Sequence, residues 1–207
     1  MKRRKTLFLT QFSALLAILL IVCFTPLGAL PAFGPIVATL GMIPVIITAQ
    51  LLGTKAGTVM GFFAGLFSLL VWTFMPPSPI VAFVFSPFHT LGDYSGNFGS
   101  LLIAFVPRIF TGTVAGLSYN GLKKSFPGSA VVCLSLSAIL ASLTNTLGVM
   151  GGIWLFFGGQ YASIFGDVML LIVGTTILTS GIPEALVSAL ASSAVCRPLQ
   201  MIRDKSK

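Results

Sequence analysis

The stretch from Phe98 to Lys124, FGSLLIAFVPRIFTGTVAGLSYNGLKK, decides the fold. It runs with a single charge from Phe98 to Asn120 and closes on two lysines. A bilayer core of about 30 Å needs around 20 helical residues at about 1.5 Å each, so this run is long enough to cross. The one charge inside it is Arg108, directly after Pro107.

The same pattern recurs on both sides. Apolar runs near residues 7–24, 36–52, 56–75, 129–150 and 167–196 join the one at 98–120, and breaks rich in Pro, Gly and Ser separate them. The 207 residues are 56% hydrophobic and 8% charged. A soluble domain carries roughly a quarter charged residues, so this chain cannot coat a soluble surface and lipid must cover most of it. We expect an all-α integral membrane protein, a bundle of six transmembrane helices forming one membrane domain over residues 1–207. The first run follows a basic block and has the look of a signal peptide. Pro26 and Pro31 interrupt the region where cleavage would fall, which favours an uncleaved first helix.

The formal net charge of +8 sits in short clusters between the spans: Lys2 to Lys5, Lys55, Lys123 with Lys124, and Arg197 to Lys207. Nucleic-acid binders carry a basic stripe instead, so that class is set aside. With the N-terminus inside, every cluster falls on the cytoplasmic face, as the positive-inside rule requires of a multi-pass plasma-membrane protein. The expected outer loops, Pro76 to Asn97 and Gly151 to Gly166, hold no Lys or Arg. The apolar core of the first, Phe83 to Phe88, is expected to fold back into the membrane.

Chemistry-bearing residues are few. Cys23, Cys133 and Cys196 lack metal-ligand spacing, and His89 is the sole histidine. No phosphate-cradling loop or nucleophile elbow is present, so neither ATP hydrolysis nor another enzymatic activity is expected, nor any cofactor or metal. Arg108 stands out. An arginine near the bilayer centre costs about 2.5 to 3.5 kcal/mol, so it must face a partner or a wet cavity. It either pairs with Glu184, the one acid well inside a span, or binds the carboxylate of a small substrate through its fork of donors. Thr144, Asn145 and Ser180 are expected to line the same outward-facing pocket, with Thr39 beside them and Phe85 and Trp154 covering it.

Small residues recur every four positions at Gly53, Gly57, Gly61 and Gly65, and again at Gly112 and Gly116. That spacing lets helix backbones approach closely, either inside the bundle or against a partner subunit. Gly57 and Gly61 are assigned here to a partner surface. Ser13 and Ala17 form another such pair on the first helix.

Met42-Ile-Pro-Val-Ile46, Leu51-Leu-Gly53, Phe85-Ser-Pro-Phe88, Val106-Pro-Arg108 and Gly181-Ile-Pro-Glu-Ala185 follow one another along the chain. In this order they resemble the substrate-binding S components of energy-coupling factor (ECF) vitamin transporters, most of all the pantothenate-type members. The resemblance implies a six-helix bundle that binds a small carboxylated vitamin from outside. It implies as partners a transmembrane coupling subunit, docked near Ser13 and Ala17, and two cytoplasmic ATPases. The rival readings are a membrane scaffold of the MreD type and a solitary secondary carrier.

Overall fold

The computed structural model describes residues 2–25, 40–165 and 169–205. Helix α1 spans Lys2–Phe24, α2 Met42–Leu52 and α3 Thr54–Phe74. A 3₁₀ turn at Pro79–Val81, α4 at Ala82–Phe85 and a two-stranded hairpin follow, with β1 at Thr90–Leu91 and β2 at Tyr94–Ser95. Then come α5 at Phe98–Ser125, α6 at Ala130–Phe165 and α7 at Met169–Thr176. A π turn at Ile177–Gly181 leads without a break into α8 at Ile182–Lys205. Five helical runs among the described residues are long and apolar enough to cross a membrane: α1, α3, α5, α6 and the α7–α8 run. The apolar α2 has 11 residues. The expected second span began at Ile36, and the part of it before residue 40, with Thr39, lies outside the described residues.

Local chemistry sets the corners. Gly53 turns the chain between α2 and α3 at φ +100°, a left-handed conformation that costs a side-chain-bearing residue energy. Asn97 caps α5: its Oδ1 accepts from the Gly99 N–H at 2.7 Å, and the Asn97 N–H donates to Ser100 Oγ at 3.2 Å. Lys123 and Lys124 lie in the last turn of α5, where positive charge complements the helix dipole.

Helices α3 and α5 meet along a seam of glycines. A Cβ at Gly57 would collide with Ala49 and the Gly112 carbonyl, one at Gly61 with the Arg108 backbone, and one at Gly116 with Thr54. The expectation of a partner-facing surface at Gly57 and Gly61 is therefore corrected. Both residues are buried, and their missing side chains let α3 reach α2 and α5 of the same chain. Across the same seam Thr58 and Thr113 share a hydroxyl hydrogen bond of 2.9 Å. Ser13 and Ala17, by contrast, are exposed on α1, while Leu19 on its other face is fully buried.

The loop expected at Gly151 to Gly166 is helix as far as Phe165. Its glycines suggested a break, but in a membrane an apolar segment satisfies its backbone by staying helical, and glycine is tolerated there. The continuation is amphipathic by packing: Met150, Ile153, Phe157 and Tyr161 are buried at intervals of three or four. They meet Trp72, Phe83 and Phe85 in one cluster, so the Phe83 to Phe85 segment does fold back into the bundle. At this end of the bundle Tyr94 and Ser163 share a hydrogen bond of 2.7 Å.

The opposite, basic end is locked by polar bonds. Gln50 of α2 donates to the Leu134 carbonyl at 3.0 Å and to Ser137 Oγ at 2.8 Å, both on α6. Its Oε1 accepts from Ser192 Oγ at 2.5 Å and Cys196 Sγ at 3.3 Å, both on α8. One turn further on, Gln200 Nε2 donates to Tyr119 Oη at 2.9 Å. Exposed Lys55, Lys123, Lys124 and Arg197 surround this end.

Candidate functional site: buried polar groups on α5, α6 and α8

Proline at position 107 has no N–H to give the carbonyl four residues back, so α5 leaves Ile103 without its helical donor. Arg108 supplies one. Its Nη1 donates to the Ile103 carbonyl at 2.5 Å, and its guanidinium carbon lies 5.7 Å from the centre of the Phe85 ring. Phe85 is in turn stacked on Trp72 at 4.5 Å. The guanidinium is thus fixed on two sides. Arg108 is buried, 8% exposed, and its Nε has no hydrogen-bond partner.

Glu184 faces the same interior from the first turn of α8. It is 5% exposed and its Oε1 also lacks a partner. The two charges are close enough to feel each other, yet no hydrogen bond or ion pair joins them among the described residues. A buried charge left this way is costly unless something else satisfies it. Pro183, just before Glu184, likewise removes a helical donor, and the π turn at Ile177–Gly181 precedes it; such turns mark functional positions in many helices.

Helix α6 completes the wall. Asn145 is buried with its Oδ1 unpartnered, and Ser142, one turn away, is wholly buried with a free hydroxyl. Thr176 at the end of α7 and Ser188 on α8 are buried and unpartnered too. Ser180, on the π turn, is buried. Native proteins pair nearly all buried polar groups, so this many open ones on three neighbouring helices mark the candidate site.

Of the residues expected at the site, five are buried inside the bundle: Arg108 of α5 lies against Phe85, and Asn145, Ser180 and Glu184 are buried on α6, the π turn and α8. Two are not. Thr144 donates to the Leu140 carbonyl at 2.7 Å and lines an outward apolar groove of about 250 Å³ with Pro107, Phe110 and Gly148. Thr144 lies a helical step of about 100° from buried Asn145, on the side away from buried Thr146, and is only half-buried. Trp154 is 67% exposed because α6 remains helical there and turns this position away from buried Ile153 and Phe157. The sequence reading missed Ser142, Thr176 and Ser188. The signal for Thr176 and Ser188 is the four-residue spacing Thr176, Ser180, Glu184, Ser188, Ser192, Cys196 and Gln200 along one buried stripe.

Among the described residues no group of three His, Cys, Asp or Glu side chains could hold a metal ion.

Comparison with known proteins agrees with this picture. Residues 7–196 match the family described as the ECF transporter substrate-specific component. The pantothenic acid transporter PanT of Lactococcus lactis subsp. cremoris is 30% identical over 173 residues, covering 83% of this chain and 82% of that protein. The pantothenate transporter PanT of Leuconostoc mesenteroides subsp. mesenteroides is 32% identical over 157 residues, covering 72% and 69%. The fold is similar to that of ThiT from Listeria monocytogenes, with a TM-score of 0.59 at 19% identity over 94% of this chain and 96% of the other. It is also similar to the S component for biotin from an ECF-type ABC transporter, with a TM-score of 0.58 at 18% identity over 97% and 94%. A transport family leaves the scaffold alternative without support and agrees with the absence of enzymatic motifs. The chain is a multi-pass protein of the plasma membrane, and it belongs to the family of ECF transporter substrate-specific components.

Proposed function

We propose that this protein is the receptor subunit of a vitamin importer and takes up pantothenate from the extracellular side. The observation that carries the reading is Arg108: a buried guanidinium, oriented by Ile103 and Phe85, whose Nε donor is unpartnered in a bundle that also leaves buried polar groups of α6 and α8 open. Such a fork suits a carboxylate. Pantothenate is favoured because two relatives matched over most of their length carry pantothenate in their names. It has a carboxylate at one end and hydroxyl and amide groups beyond it, which suits one cation followed by several neutral hydrogen-bonding groups.

The chain crosses the membrane six times in this reading, with α2 belonging to the second span and both termini in the cytoplasm. Support comes from the basic residues gathered at one end of the bundle, away from Asp93 and the hairpin. The site then faces outward, and the Gln50 bonds close the bundle beneath it. Lacking any ATP-binding motif, the chain depends on a transmembrane coupling subunit and two cytoplasmic ATPases for transport. The exposed Ser13 and Ala17 on α1 supply a face for close helix packing against that subunit.

Calorimetric titration of the purified protein with pantothenate tests the reading. Arg108→Ala is expected to weaken binding about 10- to 100-fold, the size of a hydrogen-bonded charge contact. Wild-type affinity in that variant, or no binding of pantothenate by the wild type, overturns it.

A further inference from the structure

The buried stripe on the α7–α8 run changes character partway along. Toward the basic end its members are spent: Ser192 and Cys196 bond Gln50, and Gln200 bonds Tyr119. Above Ser192 three of them are not: Ser188 Oγ, Glu184 Oε1 and Thr176 Oγ1 have no partner among the described residues, although each residue is at least nine-tenths buried.

The contacts between helices give the register. Gly181 lies against Thr146, and Ser193 shares a 2.7 Å hydrogen bond with Ser135, so α8 runs antiparallel to α6. Glu184 and Ser188 therefore lie along the stretch of α6 that carries Ser142, whose hydroxyl is also open. On the other side of α6, Gly148 lies against Pro107, which sets Arg108 level with the Thr146–Gly181 contact. Counting along the helix from Gly181 at about 1.5 Å per residue, Glu184 is then about 4.5 Å and Ser188 about 10.5 Å deeper than the Arg108 backbone.

We propose that Ser142, Glu184 and Ser188 form a second recognition end of the ligand site, deeper than Arg108, which reads hydroxyl groups. The Gln50 node is its floor. The site thereby selects an elongated anion, with its carboxylate at Arg108 and its hydroxyl groups further in, toward the Gln50 node. A short acid would neutralise Arg108 and leave the deeper groups unsatisfied, and a site that hydrogen-bonds a substrate rejects analogues lacking those groups. This inference rests on the vitamin-binding reading above and adds to it the deep end of the pocket and its specificity.

Two probes test it on the full-length purified protein: pantothenate, and an N-acyl β-alanine of the same shape whose hydroxyls are replaced by hydrogen. Ser188→Ala and Ser142→Ala are each expected to weaken pantothenate about five- to tenfold and to leave the hydroxyl-free analogue unchanged. Arg108→Ala weakens both. The ligand-free alanine variants should melt no lower than wild type, because each removes an unsatisfied buried hydroxyl. Wild-type affinity for pantothenate in both variants, or an equal loss for both probes, overturns the deep end while Arg108 keeps its role. A lower melting point in the ligand-free variants overturns it as well, since the hydroxyl would then have a protein partner. Failure of the wild type to bind pantothenate removes the receptor reading and the deep end together.

Discussion

Ser192 gives its hydroxyl proton to Gln50 Oε1 at 2.5 Å, tying α8 to α2 across 142 positions of sequence. Gln50 also donates to α6, so a single buried amide holds three helices. Replacing it with Leu strands Ser192 and takes one partner each from Ser137 and the Leu134 carbonyl, which keep their own bond of 3.0 Å. Hydrogen bonds between membrane helices average about 0.6 kcal/mol and reach about 1.7, so Gln50→Leu should cost about 1 to 3 kcal/mol in total. Thermal unfolding in detergent checks this, and an unchanged midpoint would mean that the node contributes nothing.

The glycine seam makes a sharper contrast. Gly112 and Gly57 touch backbone to backbone, whereas a Cβ at Gly121, on the same helix, would meet nothing within 4 Å. Gly112→Val should prevent a folded, monodisperse preparation. Gly121→Ala should be tolerated and stabilise slightly, by up to about 1 kcal/mol, from helix propensity alone. Size-exclusion profiles of the two variants separate these outcomes.

The two tryptophans differ in what they can report. Trp72 is buried against Phe85, which faces Arg108, while Trp154 is largely exposed on the outer surface of α6. A pantothenate-dependent change in intrinsic fluorescence is expected to survive Trp154→Phe and vanish in Trp72→Phe. The reverse pattern would return Trp154 to the site.

Exposure of Ser13 and Ala17 predicts a division between binding and transport. Bulky replacements such as Ala17→Leu should leave pantothenate affinity within about twofold, since no site residue lies nearby, and should reduce uptake in cells carrying the coupling subunit and ATPases. Unchanged uptake would direct attention to another docking face.

Much of this architecture can be read from residue order, because lipid imposes simple demands. Long uncharged runs must be helices, lysines mark one end, and a solitary arginine within a run must face something polar. The α6 extension is harder to read. Gly151, Gly152, Gly158 and Gly159 punctuate a soluble sequence, but in a membrane they merely thin a helix that continues. Thr144 and Trp154 were misplaced for related reasons, one by the angular step to Asn145 and one by the assumed loop. Ser142 and Ser188 escaped notice because isolated serines in membrane helices usually bond their own backbone. Thr48, Thr73, Thr111 and Ser118 do so here. Only packing reveals which serines do not.

Pro107 and Arg108 work as a pair with a consequence for recognition. The proline creates an acceptor and its neighbour occupies it, so the guanidinium is held in one pose before any guest arrives. A long, flexible side chain normally surrenders up to about 2 kcal/mol of rotational freedom when it is immobilised. Here that loss is incurred during folding, which leaves the contact energy available to the incoming anion. A variant that restores the missing amide, Pro107→Ala, would release the arginine to wander, weakening capture without removing a single contacting atom.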